Sequence, residues 1–171
     1  MIQSLTMNDN VMYDAGKRFD DMKVMFICTG NMTRSPLAEG ILRRKLADAG
    51  ITCVEVTSAG TGATDGLDRD RMMLEVAAEA GYEISGKTRR ADSMSAIGSD
   101  LILCMEPHHV SYMKGIIPHS YHHKIHLLMK WALGSSEVVY DPTCRPKDFY
   151  MSVLADLERA CEAITQKIDR Q

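Results

Sequence analysis

The sequence contains no apolar run approaching the length of a membrane-crossing helix, which excludes a helical span on length alone. Its first 21 residues, MIQSLTMNDNVMYDAGKRFDD, lack the basic start, apolar centre and small-residue cleavage site of a secretory leader, so a cytoplasmic location is the expectation. It lacks a charge excess: 20 Lys and Arg against 23 Asp and Glu leave a net charge of −3. Neither a nucleic acid nor an anionic membrane is therefore expected as a partner. Paired cysteines are missing as well. Cys28, Cys53, Cys104, Cys144 and Cys161 are odd in number and show no short paired spacing, which fits neither a disulfide framework nor a structural zinc site. Reduced thiols are the simpler reading. Internal repeats and low-complexity tracts are also missing.

What is present is a chain of 171 residues, long enough for one well-cored domain and short for two. Residues 1–21 carry mixed charge and no strong periodicity; they are read as an extension, disordered or docked as a short helix, ahead of a domain at 22–171. KVMFIC (23–28) is a short apolar run and reads as a buried strand. A helix follows over 36–49, with Pro36 in its first turn and Gly50 at its end. TCVEVTSAG (52–60) is a second strand, and Asp70 caps a helix that Gly81 stops. Residues 83–99 read as a polar loop with a short helix. DLILCM (100–105) and KIHLLM (124–129) read as strands three and four, separated by a helix opening at Pro107. Trp131 follows in MKWAL, read as a helical turn, and a long amphipathic helix over 149–168 turns Val153, Leu157, Cys161, Ile164 and Ile168 to one side. The 13 methionines are scattered and read as packing filler. Alternating apolar strands and helices predict a three-layer αβα domain on a four-stranded, twisted parallel sheet, with ligands at the carboxyl ends of the strands.

Cys28 stands at such an end. From Thr29 to Ser35 the chain runs through Gly30 and Asn31, which tolerate the backbone angles of an inward-wrapped loop, and enters a helix at Pro36. Such a loop turns successive N–H groups towards one point, the helix adds its positive end there, and Arg34 adds a planar fork for two oxygens. Thr29, Gly30, Asn31, Met32, Thr33, Arg34 and Ser35 thus form a candidate phosphate-binding loop after the first strand. The donors that hold phosphate also favour thiolate over thiol, so Cys28 needs no neighbouring base; Ser35 can donate a hydrogen bond to it. Asp141, in the loop after the fourth strand and held extended by Pro142, is the candidate proton donor to a leaving group and base towards water.

VMFICTGNMTRSPLAEG (24–40) resembles the active-site pattern of low-molecular-weight protein tyrosine phosphatases, and SAGTGA, DLILCME and DP match the family in order and spacing over about residues 22–170. The resemblance, to members of bacterial type, implies a phosphocysteine intermediate, no metal and no other cofactor. It implies that Cys28 is nucleophile, Arg34 phosphate clamp and Asp141 general acid, with Asn31 and Ser58 shaping the loop and Ser35 assisting the thiolate. The implied ligands are a phosphotyrosine-containing protein or small aryl phosphate, with inorganic phosphate competing.

Departures from the pattern bear on details. Thr33 stands where many members have a second cysteine; Cys144 reads as a bystander thiol. The aromatic residues that wall an aryl phosphate are missing from TGATDGL and DPTCR, which implies a shallower site. A family histidine near 86–87 is replaced by Gly86 or Lys87, and Glu106 stands where aspartate is common. Arg145 reads as a solvated charge, and Arg89 and Arg90 as a solvated pair or a rim contact for an anion. The histidines at 108–109 and 119–126 read as polar loop, without a carboxylate partner and away from the catalytic loops.

Three alternatives remain at this point. A protein-arginine phosphatase carries threonine where this chain has Met32. A thioredoxin-coupled arsenate reductase needs two further cysteines beyond the third strand, where Cys104 lies inside it. A binding module without turnover is disfavoured because nucleophile, clamp and acid occur together.

Overall fold

The computed structural model describes residues 22–170; the extension at 1–21 lies outside the described residues. Four strands, β1 (Met22–Cys28), β2 (Val54–Gly60), β3 (Leu101–Cys104) and β4 (Ile125–Leu127), form one parallel sheet in the order β2-β1-β3-β4. Burial on both faces is why the strands read as continuous apolar runs. On one face Val24, Phe26 and Cys28 of β1 join a core made with α1 (Arg34–Asp48), α2 (Arg71–Glu79), α5 (Leu128–Leu133) and α6 (Lys147–Asp169). On the other, Met25 and Ile27 meet α3 (Ser93–Gly98) and α4 (Pro107–Ile116). From β1 the chain goes to β2 on one side and then crosses to β3 on the other. The strand order therefore reverses at β1, and Cys28 is the last residue of that strand.

Local chemistry sets the boundaries. Asp70 caps α2, its Oδ1 accepting the Met73 N–H at 2.8 Å. The first helix starts at Arg34, two residues earlier than expected: the Thr33 carbonyl already accepts the Leu37 N–H. Pro36 thus sits inside the first turn, where a missing N–H costs nothing. The fourth strand is shorter than expected. Lys124 belongs to a 3₁₀ turn (His119–Lys124), and Leu128 already opens α5, which ends on Gly134 at φ 69°. The reason is the partner: Ile125, His126 and Leu127 pair with Ile102, Leu103 and Cys104, and β3 stops there. Trp131 lies in α5 and packs on the core. In α6, Val153, Leu157, Cys161 and Ile164 are buried, with Ile168 partly so. Among the described residues no helix is long and apolar enough to cross a membrane.

Candidate active site

At the carboxyl end of β1 the chain folds back on itself and is tied to the end of β2. Thr61 donates its N–H to the Cys28 carbonyl and Gly62 to that of Thr29, both at 2.9 Å. Gly60 makes this approach possible: a Cβ there would lie 2.4 Å from the Thr29 oxygen and 2.8 Å from the Asn31 nitrogen. Only glycine fits.

Asn31 is the hub of the loop. It is fully buried and takes a left-handed backbone, φ 51°, which asparagine adopts more readily than most residues. Its Nδ2 donates to Ser35 Oγ (3.0 Å) and Ser58 Oγ (2.9 Å). Its Oδ1 accepts from Arg89 N and from an Arg69 guanidinium nitrogen, both at 2.8 Å. The amide's full hydrogen-bonding capacity is used, which fixes its orientation. Ser35 Oγ, accepting from Asn31, has its own proton left for Cys28 Sγ at 2.9 Å or the Ala59 carbonyl at 3.3 Å. The shorter contact is to sulfur.

Arg34 is almost completely buried, and its guanidinium spans two acids. One nitrogen donates to Glu106 and to the Val139 carbonyl (3.0 Å); the other donates to Asp141 Oδ2 at 2.7 Å. Val139 is anchored in turn, its N–H on the Met105 carbonyl, so the acid-bearing loop is pinned to the end of β3 two residues before Asp141. Thr143 caps the Asp141 carboxylate with both its N–H and its hydroxyl. Partial burial pushes the Asp141 carboxyl up, but the two Thr143 bonds and the Arg34 cation outweigh it, and the pKa lies below the ordinary aspartate value. In this state Asp141 is a carboxylate.

His109 lies beneath the loop. Its Nδ1 accepts the Glu106 N–H at 3.1 Å, which leaves the ring proton on Nε2, facing Thr29 Oγ1 at 2.9 Å. Burial, helped by His108 and Arg34, lowers its pKa to about 3, so the ring is neutral. This corrects the reading of the histidines. His109 touches the candidate phosphate loop, and Glu106 supplies a carboxylate next to it. Glu106, His108 and His109 hold potential metal-donor atoms within 4.8 Å of one another. Those donors are already committed, Glu106 to Arg34 and both His109 nitrogens to the loop and backbone, so the set does not fit a metal ion.

The structure thus brings Cys28, Asn31, Arg34, Ser35, Ser58 and Asp141 together, with Thr29, Gly30, Met32 and Thr33 completing the loop and Pro142 buried behind Asp141. Met32 is 38% exposed on the loop, while Thr33 Oγ1 is buried without a partner. Sequence reasoning missed His109, Arg69 and the full part played by Glu106. Arg89 is exposed, as the solvated reading has it, and is also tied to the loop: its N–H donates to Asn31 and its guanidinium to the Ser58 carbonyl. The signal for Glu106 and His109 was their place directly after β3, at the ligand-binding end of the sheet. Arg145 lies over the Phe149 ring, 5.8 Å from its centre. Cys144 is exposed. Cys104 belongs to the core on the opposite face of the sheet from Cys28, so the sheet itself separates the two sulfurs. A disulfide shuttle between them has no path.

Comparison with known proteins bears on the same region. The family model described as low molecular weight phosphotyrosine protein phosphatase matches residues 23–171. The low molecular weight protein-tyrosine-phosphatase Etp of Escherichia coli (strain K12) is 32% identical over 148 residues, covering 86% of this chain and 95% of its own length. The crystal structure of the tyrosine phosphatase Wzb from Escherichia coli K30, in complex with sulphate, matches with a TM-score of 0.77 and 32% identity over 88% of this chain and 99% of that one. The YwlE arginine phosphatase from Geobacillus stearothermophilus gives a TM-score of 0.80 at 24% identity, covering 87% of this chain and 94% of that one, a likeness of fold alone.

Proposed function

Because the chain belongs to the low molecular weight phosphotyrosine protein phosphatase family, we propose that it hydrolyses phosphotyrosine on proteins through a cysteinyl-phosphate intermediate. One observation carries the reading. The loop that begins at Cys28 leads into a buried guanidinium, Arg34, and that guanidinium reaches the candidate acid, Asp141.

The chemistry follows from these contacts. An incoming phosphate dianion competes with Glu106 and Asp141 for Arg34 and takes up the loop N–H groups. As Arg34 turns to phosphate, Asp141 loses a cation and gains an anionic neighbour. Both changes raise its pKa, so the carboxylate of the empty site becomes the acid of the occupied one. The Cys28 thiolate attacks phosphorus, the bond from phosphorus to the phenolic oxygen breaks, and Asp141 gives its proton to that oxygen. In the second step Asp141 takes a proton from water, the water oxygen attacks phosphorus, and the sulfur–phosphorus bond breaks. Inorganic phosphate leaves and the thiolate returns, steadied by the Ser35 hydroxyl. Asn31 and Ser58 hold Ser35 in place throughout. Inorganic phosphate, sulfate and vanadate compete because recognition is mainly of the phosphoryl group. A thiolate nucleophile suits a reducing compartment, which supports a cytoplasmic location.

Met32 supports phosphotyrosine over phosphoarginine. A partly exposed thioether on the loop offers a polarizable apolar contact to an aryl ring and only a weak acceptor to a guanidinium. The test is a parallel assay of phosphate release from matched phosphotyrosine and phosphoarginine peptides, with Cys28→Ser as control. Release from phosphotyrosine, lost in Cys28→Ser while vanadate still binds, is expected. Preferential release from phosphoarginine overturns the substrate, and activity surviving in Cys28→Ser overturns the mechanism.

A further inference from the structure

We propose that Arg69 is a positioning residue for the Cys28 thiolate, acting through Asn31 and Ser35; the inference rests on the phosphatase reading above and adds a residue that no part of the loop sequence contains. Arg69 lies just before the capping residue of α2, 38 residues along the chain from Asn31. One guanidinium nitrogen donates to both the main-chain oxygen and Oδ1 of Asn31. It therefore grips the same residue by its backbone and its side chain. That is the residue in the loop with the left-handed backbone, and the one whose amide determines where the Ser35 proton goes.

The polarity of the chain of contacts is fixed from Arg69 to Ser35. Arginine can only donate, so the Asn31 oxygen must face it and the Asn31 amino group must face Ser35. Ser35 then accepts from Asn31 and has a single proton to give, with Cys28 Sγ at 2.9 Å the nearer acceptor and the Ala59 carbonyl at 3.3 Å the other. A cation at one end thus leaves the Ser35 proton free to turn to the sulfur at the other once that sulfur is ionised. Donation to the ionised form favours that form.

Three further observations fit this placement. Arg69 Nε is buried with no hydrogen-bond partner, a cost tolerated where the other end of the guanidinium is held on Asn31. Burial lowers the Arg69 pKa, while the negative charges of Glu39 and Cys28 raise it, so the sulfur and the guanidinium lie within electrostatic reach of each other. Gly86, with a φ of 77°, borders the other nitrogen: a Cβ there would stand 3.9 Å from it.

The experiment is a double-mutant cycle of Arg69→Gln and Ser35→Ala, read as kcat/KM on para-nitrophenyl phosphate at pH 5 and pH 7.5 and as the rate of Cys28 alkylation by iodoacetamide. Arg69→Gln is expected to lower kcat/KM at pH 5 by about tenfold, with a smaller loss at pH 7.5, and to slow alkylation at pH 5 in parallel. Arg69→Lys, which keeps the charge and gives up the double grip, is expected to recover about a third of the wild-type rate. In the Ser35→Ala background the Arg69→Gln change is expected to cost less than about twofold, because its route to the sulfur is already cut. Additive losses overturn the inference, as does an Arg69→Gln enzyme within twofold of wild type at both pH values. A loss equal at both pH values and not relieved by lysine marks a purely structural role and overturns it too. If Arg69→Gln does not fold, Arg69→Lys carries the same cycle. A wild-type enzyme without turnover defeats the phosphatase reading instead, and the alkylation arm still judges Arg69.

Discussion

The cradle that holds the sulfur and the loop that carries the acid are built in opposite ways. In the cradle Asn31, Thr33, Arg34, Ser35 and Ser58 are all buried, and every polar atom of the Asn31 side chain is bonded. In the loop from Ser135 to Pro146, Tyr140, Asp141, Thr143, Cys144 and Arg145 are exposed, and the segment is held by buried Val139 and Pro142 and by the Arg34 grip on Asp141. The difference follows from what each part meets. A phosphoryl group is the same in every substrate, so its cradle can be rigid and pre-organised at no loss. Under the proposed mechanism the leaving group varies, which fits an acid, Asp141, carried on an exposed segment held at a few points, Val139, Thr143 and Arg34.

Breaking the cradle is expected to give the largest effect. Gly60→Ala places a methyl against the Thr29 oxygen, the Asn31 nitrogen and the Ala63 Cβ, two of them backbone atoms that cannot yield without opening the loop. We expect turnover of para-nitrophenyl phosphate to fall by more than about a hundredfold, phosphate to stop competing, and thermal unfolding to report a loss of about 1–3 kcal/mol. A Gly60→Ala enzyme that still binds phosphate normally removes the rigid half of the comparison. Asp141→Asn probes the loose half. It is expected to slow phenyl phosphate by about 10²–10³ while affecting activated aryl phosphates far less, since only the poor leaving group needs the proton. Phosphate affinity should hold or improve, because the substitution removes a charged competitor for Arg34. An equal loss on both ester classes argues against the acid role.

The same contrast governs how much the sequence disclosed. The four strands, the first helix, the helix capped by Asp70 and the long final helix were legible because apolar periodicity and end signals are local. Cys28, Arg34 and Ser35 were legible because a single short segment carries them. Asp141 stood out only through its Pro142 neighbour and its place after β4. Arg69, His109 and Arg89 were not legible, because each is tied to the loop by a side chain or N–H that only the folded chain brings near: Arg69 and Arg89 to Asn31, His109 to Thr29. Nothing in the run LDRDR separates Arg69 from Arg71. The length of β4 was misjudged for a related reason, since a strand ends where its partner ends, and that partner is β3.

The smallest effect expected lies at the join between the two regions, in His109. It is packed against Thr29, with Glu106, His108, Arg34 and Asp141 as its charged surroundings, and its pKa is lowered to about 3. An unfolded histidine titrates near 6.5, so above that pH neither state is charged and the residue adds no pH dependence. Below it the unfolded chain binds a proton that the folded chain refuses, and stability falls steadily as pH drops from about 6.5 towards 3. His109→Gln keeps an acceptor for the Glu106 N–H and a donor for Thr29 without titrating. Between pH 7 and pH 4.5 urea unfolding should therefore show wild type losing about 2 kcal/mol more than His109→Gln. Parallel pH curves for the two proteins would place His109 outside the neutral, buried role, and with it the claim that the cradle's rigidity extends as far as Thr29.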